Sequence, residues 1–112
     1  MGDIPKQIKR LLREQAALAH EEELRRMLAP LANAFDQWKE GKVSSDQIHD
    51  MIHEFHQGPS RELFSRYNPK MHESTIAHAI VAGILDRNKV PPELLEHLAN
   101  LIRYYEEDLK KS

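Results

Sequence analysis

The chain has 112 residues, 40% of them hydrophobic and 30% charged, with a formal net charge of −2. That is enough apolar material for one domain with a core, and too much for a disordered chain. The interspersed acids and bases lack the basic footprint of a nucleic-acid binder, and the absence of cysteine excludes disulfides and thiolate metal sites.

No apolar run reaches the length of a membrane span, the longest weakly polar stretch being Ile76 to Leu85. The N-terminus, MGDIPKQIKR, has no secretory apolar segment. The expectation is a cytoplasmic protein with neither membrane nor nucleic acid among its partners.

The first segment, Ile4 to about Glu40, is rich in Leu, Ala, Glu, Arg and Gln, all good helix formers. It carries two apolar stripes. Ile4, Ile8, Leu11, Leu12, Leu18 and Ala19 make one; Leu24, Met27, Leu28, Leu31, Phe35 and Trp38 make the other. At about 100° per residue the stripes point about 170° apart. No Gly or Pro sits at the switch, His20 to Glu23, so one long helix with two faces is expected. Pro30 lies well off the second stripe and predicts a bend there, with the helix resuming to Trp38.

The next boundary is the clearest in the chain. Ser44 and Gln47 read as a capping box, with Val43 and Ile48 as a hydrophobic staple. Ile48, Met51, Ile52 and Phe55 then form a helical core face. Gly58 is expected to end this helix in a left-handed conformation, and Pro59 to prevent its continuation. A short helix follows to Tyr67. Asn68 and Pro69 suit the start of another, running to about Asp86 and apolar on most sides, with Gly83 letting another backbone approach closely. The last helix spans Pro91 to about Lys110.

The predicted fold is therefore all-α: a compact bundle of four to five helices with a long, kinked N-terminal helix. It forms a single domain, residues 1–112, in which residues 1–20 act as a helical arm.

Three histidines, His49, His53 and His56, share a stripe about 120° round the helix from its core face. Neutral imidazoles at this spacing chelate Zn²⁺ or another divalent transition metal, and the neighbouring carboxylates, Asp46 and Asp50, could complete or orient the shell. A single helix rarely encloses a metal, so further ligands would come from His72, Glu73 or His78. The bland alternative is a polar border. The zinc-protease motif is absent, because His53-Glu54 is followed by Phe55-His56. The carboxylate pattern of a di-iron bundle is absent too. Ser60 and Arg61, at a helix start, form a candidate anion site. His78 reads as a buried core histidine, and His20 and His97 as surface or edge residues without clustered partners. A hydrolase with His56 or His78 as base lacks a nucleophile and an oxyanion site.

The functional expectation is thus a non-enzymatic module that needs no cofactor and acts on a protein partner or a second copy of itself. Ile4, Ile8, Leu11 and Leu18 are the expected interface, since that stripe seeks a covering surface. Divalent-metal binding through the histidine stripe is the alternative.

Overall fold

The computed structural model describes residues 4–67 and 73–111. Asn68, Pro69 and His72, given roles above, lie outside the described residues. The fold is all-α, with α1 (Lys6–Lys39), α2 (Ser45–Gln57), α3 (Pro59–Arg66), α4 (Glu73–Val81), a 3₁₀ turn (Arg87–Lys89), α5 (Pro92–His97) and α6 (Ala99–Lys111). The expected last helix is divided at Leu98 into α5 and α6; with these two counted as one, the described residues form five helices.

α1 is unbroken for 34 residues, passing through both the acidic run and Pro30. It is about 51 Å long at 1.5 Å per residue, and sets the long dimension of a chain measuring 57 × 30 × 22 Å. It ends in a Schellman turn. Gly41 adopts φ 78° and donates to the carbonyl of Trp38, while Lys42 donates to that of Gln37.

Each half of α1 supports its own set of helices. The first half packs on α4 and α5, and α6 lies against α4 and α5. Ile8, Leu11, Leu12, Ala16 and Ala19 meet Ile76, Ala77, Ile80, Leu94, Leu98 and Ile102 in one buried cluster. The second half carries α2 and α3, a lobe whose buried side chains are Ala34, Ile48 and Leu63. At about 25 cal/mol per Å² of buried apolar surface, most of the fold's hydrophobic stabilisation resides in the first lobe.

Local signals explain the ends of several helices. The Ser44 Oγ accepts from the Gln47 N–H at 3.1 Å, and the Gln47 Oε1 accepts from the Ser44 N–H at 2.8 Å, which closes the capping box. α4 stops at Val81, earlier than the apolar run suggests. Gly83, at φ 79°, donates to the carbonyl of Ile80, and Ile84 to that of Ala79, a further Schellman turn. Gly83 is required for its dihedral angle, not for close approach: an added Cβ would meet nothing within 4 Å. Gly58 differs from expectation. Its φ is −110°, so it is not left-handed, and it joins α2 to α3 directly with Pro59 opening the new helix.

Candidate functional site

The histidine stripe stands in solvent. His49, His53 and His56 are all exposed on α2. Asp50 lies 3.9 Å from the His49 Nδ1, with both side chains largely in water. Among the described residues, no group of three or more His, Asp or Glu side chains is placed to hold a metal ion. Glu73 is engaged by His97, whose Nε2 pairs with the Glu73 Oε2 and ties α5 to α4. His97 is therefore not the unclustered residue expected. At the α3 start, Gly58 is the N-cap and no side chain caps the helix. Ser60 is half-buried and Arg61 exposed, at a helix start whose free backbone N–H groups are those of any helix.

The four expected interface residues separate. Ile8 and Leu11 are buried in the chain's own core, and Ile4 packs against its edge; only Leu18 is left exposed, at 55%. Helices α4 and α5 cover Ile8 and Leu11 from within the chain.

A polar joint links the lobes midway along α1. The Tyr67 hydroxyl donates to the Glu23 Oε2 at 2.5 Å, and the Arg66 guanidinium donates to both Glu23 oxygens at 3.0 and 3.2 Å. Partial burial of the phenol, reinforced by the Glu23 carboxylate, pushes the Tyr67 pKa well above the ordinary tyrosine value. The His20 ring tilts against Tyr67, with centroids 6.1 Å apart. Close by, the Arg26 guanidinium donates to the Gly83 carbonyl at 3.3 Å. These ties also border an open cleft of about 350 Å³, lined by Arg66, Tyr67, Ser74, Thr75, His78 and Tyr105. His78 is exposed here, not buried, and its ring lies nearly perpendicular to that of Tyr105, with centroids 5.4 Å apart. The buried residues beside it in sequence, Ala77 and Ala79, point about 100° to either side.

The other lobe has a different character. Three helices with a thin core leave large apolar side chains outside: Leu28, Phe35 and Trp38 on α1, Ile52 on α2 and Phe64 on α3. Trp38 meets Phe35 edge-to-face at 6.3 Å and donates its indole N–H to the Ser45 Oγ at 2.9 Å. Leu24, Leu28, Ala29 and Ala32, flanked by Glu21 and Arg25, border a shallow groove of about 390 Å³. Another hollow, of about 360 Å³, lies where Met27, Pro30 and Leu31 of α1 face Met51 and Phe55 of α2. Apolar hollows backed by exposed aromatics are features of protein-binding surfaces, not of sites for a small charged substrate.

No family model, curated protein or solved structure matches the chain. Among the described residues, no helix is long and apolar enough to cross a membrane.

Proposed function

We propose that this protein is a non-enzymatic helical module that works by protein–protein contact, and in particular by self-association. One observation carries the reading. The α1–α2–α3 lobe exposes Leu28, Phe35, Trp38, Ile52 and Phe64 although it buries few apolar side chains of its own. Covering such side chains removes apolar area from water in the partner as well as in the chain, and yields about 25 cal/mol per Å² before the costs of association. The surface differs from the one that hydrophobic periodicity alone suggests: it is the second stripe of α1, not the first.

The test is sedimentation velocity and light scattering from low micromolar to about 0.5 mM chain. A mass that rises with concentration towards that of a dimer or larger assembly supports the reading. A monomer throughout that range overturns it.

A further inference from the structure

Six residues of α1 recur at spacings of 4, 3, 4, 3 and 4: Glu21, Arg25, Leu28, Ala32, Phe35 and Lys39, all exposed or partly so. At about 100° per residue they fall within a sector about 80° wide. Ala34, which packs towards α2 and α3, lies about 140° from the centre of that sector, and Pro30 about 180° from it. The sector is therefore the side of α1 that its own chain leaves open, and the shallow groove at Leu24, Leu28, Ala29 and Ala32 runs along it.

The stripe is complementary to itself when reversed. A two-fold axis passing beside residue 30 sets Glu21 opposite Lys39, Arg25 opposite Phe35 and Leu28 opposite Ala32, each pair occurring twice. Opposite charges close both ends, guanidinium groups lie on phenyl rings, and a large residue fills the space above a small one at the centre. We propose that the occupant of this face is a second copy of the same chain, with α1 packed antiparallel on α1 about a two-fold axis at residue 30. This assignment rests on the self-association proposed above and specifies its geometry.

The contact runs for about 27 Å of helix, from Glu21 to Lys39. The 4–3 alternation is the periodicity of paired helices that wrap gently round each other. The Glu21–Arg25 ion pair, 3.7 Å long and largely in water, does not compete strongly for these groups. A register shifted to centre between residues 26 and 27 would pair Glu14 with Lys39 and Leu18 with Phe35. It would also bring the two Arg25 side chains within about 4.5 Å of each other along the axis, at the driest point of the contact, against about 15 Å in the proposed register. Like charges brought together out of water are costly, and this selects the register centred on residue 30.

The absence of native cysteine makes the test clean. Full-length Glu21→Cys and Lys39→Cys chains, mixed and treated with a short bismaleimide, should give a cross-linked dimer. Glu21→Cys alone should not, because its two copies lie about 27 Å apart. Separately, Glu21→Lys and Lys39→Glu should each weaken the dimer about tenfold by setting like charges opposite one another, and the double substitution should restore it. All these sites are at the surface, so the fold is retained, which far-UV circular dichroism checks. A dimer that links Glu14→Cys to Lys39→Cys instead, or that the double substitution fails to restore, overturns this register while self-association stands. A monomer at every concentration overturns both.

Discussion

Leu63 is the side chain on which the α1–α2–α3 lobe depends most. It is fully buried, in α3, and Ala34 and Ile48 are the other buried apolar residues described in that lobe. Leu63→Ala removes its transfer free energy and leaves a void, a change that costs about 2–5 kcal/mol in well-packed cores. Here the value should fall near ~2–3 kcal/mol, because Met51 and Phe55 are only half-buried and Ile52 and Phe64 exposed, so the surroundings can relax into the space. With a urea dependence of ~1.5 kcal/mol per molar, the unfolding midpoint should drop by ~1.3–2 M. Trp38 is the only tryptophan and sits in the last turns of α1, so its fluorescence reports this lobe directly. Hydrogen exchange should show lost protection in α2 and α3 and little change in α4 and α6, whose core does not include Leu63. A midpoint that moves by less than ~0.3 M would mean that α3 is not held on α1 by this side chain.

Four other outcomes follow from individual sites. Ser44→Ala should lower stability by about 0.5–2 kcal/mol in the same urea assay, since it removes the acceptor of the Gln47 N–H. Gly83→Ala should cost about 1–2 kcal/mol in thermal melts through its positive φ alone, because the space for a methyl group is open. The raised pKa of Tyr67 means that the folded state holds the phenolic proton more tightly than the unfolded chain does. Its contribution to stability is therefore complete below about pH 10 and is lost as pH rises towards the folded value. Urea midpoints at about pH 9 and about pH 11 should differ more in the native chain than in Tyr67→Phe. Calorimetry with Zn²⁺ near neutral pH should give no saturable micromolar binding that His53→Ala abolishes, because the described residues offer no group of ligands placed to hold a metal.

Local signals were the readable part of this fold. The capping box at Ser44 and Gln47 and the uninterrupted α1 follow from short-range chemistry that a sequence carries in full. What sequence cannot state is which surface covers which. Periodicity placed Ile8, Leu11, Leu12 and Ala19 together on the side of α1 that is buried, while Leu18, grouped with them, is exposed. The return of α4 and α5 onto the Ile8–Ala19 stripe is a long-range event, however, which is why that stripe reads as unpartnered. The same limit hid the pairs Glu23–Tyr67 and Glu73–His97, whose members lie 44 and 24 residues apart. His78 was misplaced for a different reason: flanking alanines bury their own faces of a helix, not the face between them. The early end of α4 had a visible signal in Gly83, masked by the apolar residues that follow it.

The two lobes share one helix but have separate interiors, which gives α1 the role of a ruler and a phase setter. Each residue along it advances one lobe about 1.5 Å from the other and turns it by about 100°. One residue inserted near His20 would leave both interiors intact, yet it would swing Glu23 away from Tyr67 or Arg26 away from Gly83. Seven residues, close to two full turns, would restore the facing and change only the span. The middle of α1 therefore tolerates changes of length only in near-integral turns.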